Sequence, residues 1–293
     1  MKIFCAWLGR FFAFILYHLP RPIQFFLGDL IGILWLDILR IRRDIVKNNF
    51  DIAFPEWENE KKWKMARNSM SYLGRGLVQY SYLPFLNKNN IKQYVKFKNI
   101  HFLEQALEQE KGVCMLTLHL GNGDMGIAAL SLADYPIELI SKEFKIRWLN
   151  ELWFGMRERL GTKFIPPRNS SYSILKALKK NSIVVFVLDQ FMGPPIGIKT
   201  KFFGKETGTA MGLTVMAKRT GAPVLPVYIY WNEDGTHTVE VEPAIVFEEM
   251  STKEKTLKHM TQVYTDHIER IIRKHPDQWM WVHRRWKKFK VES

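Results

Sequence analysis

The chain has 293 residues and only two cysteines, Cys5 and Cys114, so it can bury a full core but holds no disulfide framework and no thiolate metal cluster. Its 43 Lys and Arg against 29 Asp and Glu leave a net charge of +14, which calls for an anionic partner. The sequence has no zinc-ligand spacing, no ribonucleoprotein-type aromatic motif and no clear recognition helix, so nucleic acid ranks below a lipid or another phosphorylated partner.

The chain opens on two apolar runs. Ile3 to Leu19 is interrupted only by Arg10 and His18, and Ile23 to Ile41 only by Gln24, Asp29, Asp37 and Arg40. Neither is a clean run of about twenty apolar residues, and no small-residue cleavage site follows the first. Pro20 and Pro22 divide the stretch into two helices. Arg40, Arg42, Arg43 and Lys47 come next, a cluster suited to the cytoplasmic face of an anionic membrane. Residues 1–41 therefore read as a membrane-associated helical hairpin, or as one marginal transmembrane helix with an interfacial one behind it. Two buried helices of a soluble domain are the plainer alternative. Residues 42–293 read as a single catalytic domain.

Asn59 to Leu83 has a long helical pattern, Tyr94 to Lys98 alternates like a strand, and Ile100 to Glu110 is amphipathic. Strands are then expected at 112–118, 137–141, 163–166 and 183–188, with helices at 124–132, 145–160 and 170–180 between and after them. A loop with strand-like pieces (190–205), a helix at 208–220, strands at 223–230 and 236–242, and a helix at 251–274 complete the pattern. Such alternation predicts an α/β fold, a mixed but mostly parallel sheet flanked by helices.

Leu116 to Asp124 holds the most informative motif. An apolar run delivers His119 to a turn, and Asp124 follows five positions on, past Gly121 and Gly123. Such a pair lies about 140° apart round a continuous helix and on opposite faces of a strand, so it meets only if the backbone turns between the two residues. Glycine supplies that freedom. An imidazole held by a carboxylate is a general base, and at a strand end it can reach substrate. A strand-capping histidine salt-bridged to a nearby acid is the bland alternative. His237 and Glu242 share the spacing with no glycine between them. That stretch reads as an exposed strand whose His and Glu diverge.

Further candidates follow. Asp189 and Gln190 end the apolar strand at 183–188, the place where open α/β sheets gather binding residues. Arg157 and Arg159 lie two apart on one helix, so only one is expected to face inward. Arg159, nearer the helix end, is the candidate to pair with Asp189 or to bind a phosphate. Phe202-Phe203-Gly204 reads as core packing or as the wall of an acyl groove. The tail from Trp279 to Lys290 interleaves aromatics with His283, Arg284, Arg285 and lysines, which suits the headgroup level of a membrane.

These residues carry a resemblance. His119-Leu-Gly-Asn-Gly-Asp124, Val187-Leu188-Asp189-Gln190, Phe202-Phe203-Gly204, Pro276 to Lys287 and Asn48 to Pro55 occur in the order found in the bacterial lipid A late acyltransferases, a branch of the lysophospholipid and glycerolipid acyltransferase superfamily. The chain resembles them over nearly its whole length, with Asp124 where many of that branch carry Glu. The resemblance implies an inner-membrane enzyme facing the cytoplasm. It implies transfer of an acyl chain from acyl carrier protein or coenzyme A to a hydroxyl of a lipid A precursor, or of another phosphorylated membrane lipid. It carries over His119 as base and Asp124 as its orienter, with Arg159, Asp189, Gln190, Phe202, Phe203, Gly204, His283, Arg284 and Arg285 on the substrate. No metal and no resident cofactor are expected, and the acidic acyl carrier protein suits the basic surface.

Overall fold

The computed structural model describes residues 2–289 apart from 143 and 169; the end of the basic tail, Lys290 included, lies outside the described residues. The chain begins with helices α1 (Lys2–His18), α2 (Arg21–Ile33), which runs into a π-helical turn at Leu34–Ile38, α3 (Arg43–Ala53) and α4 (Asn59–Gln79). Strand β1 (Val95–Lys98), α5 (His101–Leu107), β2 (Val113–Thr117), α6 (Gly123–Leu132), β3 (Ile137–Ile140), α7 (Arg147–Arg159), β4 (Lys163–Ile165), α8 (Ser171–Lys179) and β5 (Ile183–Val187) follow. A hairpin of β6 (Gly197–Phe202) and β7 (Lys205–Ala210) leads to α9 (Gly212–Thr220), β8 (Val224–Trp231), β9 (His237–Val241) and α10 (Lys253–Lys274).

The main sheet runs β1-β9-β8-β2-β5-β3-β4. Strands β8, β2, β5, β3 and β4 pair in parallel, β9 runs antiparallel to β8, and β1 joins β9 in parallel. The expected mixed, mostly parallel sheet is thus present. Side-chain alternation divides its core in two. Cys114 and Leu116 of β2 face the cluster built with α8, α9, α10 and the C-terminal tryptophans. Val113 and Met115 face the cluster built with α5 and α6.

Two expected elements differ. The segment read as loop and helix start over 205–210 is strand β7, joined to β6 by the two-residue turn Phe203-Gly204, both with positive φ (51° and 72°). That conformation at both central positions gives a hairpin turn matched to strand twist. Threonine-rich β7 is buried through its hydroxyls: Thr209 meets Thr200 at 2.7 Å, and Thr207 donates to the Arg285 carbonyl at 2.7 Å. The stretch at 236–242 is a strand, as expected, but a buried one. Its polar alternation does not mark a solvent face, because β1 and β8 flank β9 and Lys98 and Lys274 reach Glu240.

At the N-terminus α1 and α2 meet at a bend of 120°. Pro20 and Pro22 cause it: proline at the start of α2 suits the first turn, and it cannot continue α1. Gln24, buried under the bend, donates to the carbonyls of Leu16 (2.9 Å) and Leu19 (2.8 Å), acceptors that the end of α1 leaves free. Its own carbonyl accepts from the Tyr82 hydroxyl. No single described helix is long and apolar enough to cross a membrane, though this bent pair taken together has the length and composition. α2 packs on α4 at backbone distance, and Arg75 of α4 forks onto Asp29 of α2 at 2.6 and 2.7 Å.

Candidate active site

The register of the sheet builds the site. Thr117 of β2 pairs with Val187 of β5, so the chain leaves both strands at the same level, and two residues later His119 stands beside Asp189. Asp189 is fully buried. One of its oxygens takes the His119 ring at Nδ1 (2.8 Å), and the other accepts the His119 backbone N–H (3.0 Å) and the Trp279 indole N–H (2.7 Å). The His119 ring keeps about 32% of its surface open, at the mouth of a cavity.

The carboxylate in contact with the His119 ring is therefore Asp189, where the spacing points to Asp124. Asp124 opens helix α6 and accepts from the Arg157 guanidinium Nε at 2.7 Å. Arg157 is only 3% exposed, lies over the Trp153 ring at 3.7 Å and donates to its carbonyl. Of Arg157 and Arg159 it is the one that faces inward. Arg159 turns the other way, onto the Leu83 carbonyl. Spacing cannot choose between them, since each continues a row of i, i+3 or i, i+4 neighbours, Trp153 to Arg157 and Leu152 to Met156 to Arg159.

Electrostatics follows the geometry. Burial pulls the His119 imidazole down, but the Asp189 carboxylate more than offsets it, with Asp124 adding to the effect, and the pKa is raised above 6.5. Burial alone would raise Asp189; His119, then His283 and the Trp279 N–H, hold it well below the usual carboxylate range. His283 lies with its ring 5.0 Å from that of His119. Burial pushes it down to about 4, so it is neutral at ordinary pH. Gln190 puts its side-chain nitrogen 3.5 Å from Nε2 of both histidines.

The remaining expected residues divide between site and scaffold. Phe202 and Phe203 do not wall a groove. They are buried in the core under the hairpin, beside Trp279 and Trp286. Gly204 forms the turn next to them. Arg285 is fully buried; burial lowers it to about 10. Its guanidinium is spent on the carbonyls of Gln190 and Gly208 and the Thr209 hydroxyl. Arg284 is exposed. The described tail is thus a strap through the core, with Trp279 and Trp281 at most 1% exposed, and not a headgroup-level segment. The decoy pair does diverge: His237 faces Gln79 and Glu242 faces Arg270. Among the described residues, no group of three or more His, Cys, Asp or Glu is placed to hold a metal ion.

The cavity beside His119 encloses about 300 Å³. Gly121, Asn122, Asp124 and Arg157 line it beside His119, while Met115, Leu130, Leu139, Phe164, Val185 and Val239 give it apolar walls between the sheet, α6 and α7. A histidine at a polar mouth with an apolar chamber behind it suits a substrate with a polar head and a hydrocarbon chain. Comparison with known proteins agrees. The model of the bacterial lipid A biosynthesis acyltransferase family matches residues 1–288. The chain belongs to that family. It is an acyltransferase. The lipid A biosynthesis lauroyltransferase of Escherichia coli is 24% identical over 98% of this chain and 92% of its own. The palmitoleoyltransferase of the same organism is 26% identical over the same shares. A phosphatidylinositol mannoside acyltransferase of Mycobacterium tuberculosis is 23% identical over 74% of this chain and 69% of its own. Arg157, which the sequence reading set behind Arg159, and Trp279, which it placed only in the tail, are the residues it did not assign to the candidate site.

Proposed function

We propose that the protein moves a fatty acyl chain from an acyl thioester, on acyl carrier protein or coenzyme A, to a hydroxyl of a lipid A precursor at the cytoplasmic face of the inner membrane. One observation carries the chemistry: His119 Nδ1 is tied at 2.8 Å to a buried carboxylate, which leaves Nε2 as the base at the mouth of an apolar cavity. Nε2 takes the proton of the acceptor hydroxyl as its oxygen attacks the thioester carbonyl. Asp189 fixes the tautomer and stabilises the imidazolium that forms. The tetrahedral carbon carries an oxyanion, which the N-terminus of α6 and the Arg157 guanidinium face. Collapse breaks the C–S bond, and the imidazolium returns its proton to the departing sulfur. Asp124 holds Arg157 in place.

Gly121 does not serve the oxyanion, since its N–H goes to the Gln278 carbonyl at 3.1 Å. Arg159, turned to Leu83, does not serve it either. The acyl chain occupies the apolar chamber. The bent helix pair, with Phe11, Phe12, Phe14 and Phe26 more than half exposed, lies in the cytoplasmic leaflet.

The test is acyl transfer by purified His119→Ala. General-base catalysis contributes roughly two to four powers of ten, and a loss of that size in folded protein is expected. Near-normal transfer would sink the assignment. The similarity to a phosphatidylinositol mannoside acyltransferase favours one second reading, a different phosphorylated glycolipid as acceptor. Mass spectrometry of lipids from a strain lacking the protein, with and without complementation, separates the two acceptors.

A further inference from the structure

His237, which lies outside the His119 motif, is fully buried in β9 with its Nε2 2.9 Å from the Gln79 side-chain oxygen. The same oxygen accepts from Asn122 Nδ2, also at 2.9 Å. Gln79 is 4% and Asn122 6% exposed. Asn122 is the residue between His119 and Asp124 that caps α6, its side-chain oxygen accepting the Met125 N–H at 3.3 Å. The three side chains therefore form one buried chain that ends in the catalytic turn.

Its polarity is fixed at the α6 cap: the Met125 N–H can only donate, so Asn122 turns its oxygen there and its nitrogen towards Gln79. Burial, with Arg21 adding to it, drives the His237 pKa down to about 3, so the ring is neutral and carries one proton. Gln79 therefore presents its oxygen, which calls for the His237 tautomer with that proton on Nε2, and both lone pairs of the oxygen are then used. If Gln79 turned its amide round, Asn122 would face a donor with a donor, and reversing Asn122 to suit would remove the cap.

We infer that Gln79 and His237 are positioning residues: they lock Asn122 in the orientation that caps α6, and through it set Asp124 and Arg157 opposite His119. This role rests on the proposed work of His119 and Asp124.

The test measures kcat and KM with an acyl carrier protein thioester and a lipid A precursor, together with thermal stability. Gln79→Met, which fills the space without an acceptor, is expected to lower kcat about tenfold with KM for the donor unchanged. Gln79→Glu, which keeps an acceptor oxygen, is expected to restore kcat to within about threefold of the parent. In an Asn122→Ser background, where serine still caps α6 but cannot reach Gln79, Gln79→Met is expected to cost nothing more. Full kcat in folded Gln79→Met, no rescue by Gln79→Glu, or an undiminished loss in the Asn122→Ser background would each overturn the inference. Should Gln79→Met fail to fold, His237→Leu tests the same chain from its other end, and unchanged kcat there overturns it equally. His119→Ala run alongside separates the two ideas. Activity surviving in His119→Ala overturns the reading of the site, whereas activity surviving only in Gln79→Met overturns the positioning role alone.

Discussion

Two carboxylates stand near His119, and the distance between partners decides their roles. Asp189 touches the ring nitrogen and the backbone N–H of His119 together, while Asp124 is committed to Arg157. Asp189→Asn keeps the shape and removes the charge that holds the imidazolium. It is expected to lower kcat by at least about a hundredfold. The same substitution gives a pH test. An imidazole works as a base only when neutral, and that of His119 is raised above 6.5. The rate of the parent enzyme should therefore rise with pH through a midpoint above 6.5, and in Asp189→Asn the midpoint should move down, because burial then acts without the opposing charge. A midpoint that stays in place would remove Asp189 from the proton-transfer step. His283, held near 4, should add no second limb near neutrality. The sequence made His119, Asp124 and Asp189 visible as strand-end and turn residues. It concealed their pairing, because that depends on the register of β2 against β5, which local spacing does not encode.

Elements were legible where their periodicity met a clear boundary. The apolar strands β2, β5 and β8 and the long helices α4 and α10 lie within a few residues of expectation. The hairpin strand β7 was not legible, because its buried face is threonine and its hydrogen-bond partners come from β6 and the distant Arg285. The tail concealed itself for a related reason: interleaved tryptophan and arginine suits a membrane interface as well as a core in which Arg285 is held by two carbonyls and a hydroxyl. The contact of α2 with α4 belongs here too. A Cβ on Gly74 would run into the Gly28 carbonyl, so the two helices touch along their backbones. Gly74→Ala must part them and is expected to cost about 1–3 kcal/mol, read as a lowered Tm in detergent. Gly155 of α7 has open space around its Cβ position, and Gly155→Ala should instead stabilise by roughly 0.5–1 kcal/mol. Equal effects at the two positions would contradict the close packing of α2 on α4.

Across the whole molecule, exposed apolar surface is concentrated in the first two helices. Along α2, Ile23, Phe26, Leu30 and Ile33 stand on the open side, whereas Gln24, Gly28 and Gly32 turn inward. Phe11, Phe12 and Phe14 extend the open side onto α1. The basic residues that follow are only partly available to lipid headgroups. Arg42 donates to the Val282 carbonyl, Arg43 lies over the Trp63 ring and Lys47 pairs with Asp51, so that Arg42 and Lys47, though exposed like Arg40, are partly committed within the protein. The apolar face should therefore contribute more to membrane binding than the charge cluster, since each fully buried aromatic side chain is worth about 1.5–3 kcal/mol. Replacing Phe11, Phe14 and Phe26 together with serine should release the protein from vesicles of mixed neutral and anionic lipid in a flotation assay, while leaving the α2–α4 contact and the distant His119 site intact. Arg40→Gln should weaken binding only slightly, and mainly at low salt, where screening is least. Should the triple serine variant stay with the vesicles while Arg40→Gln leaves them, charge and not apolar burial would hold the protein to its membrane.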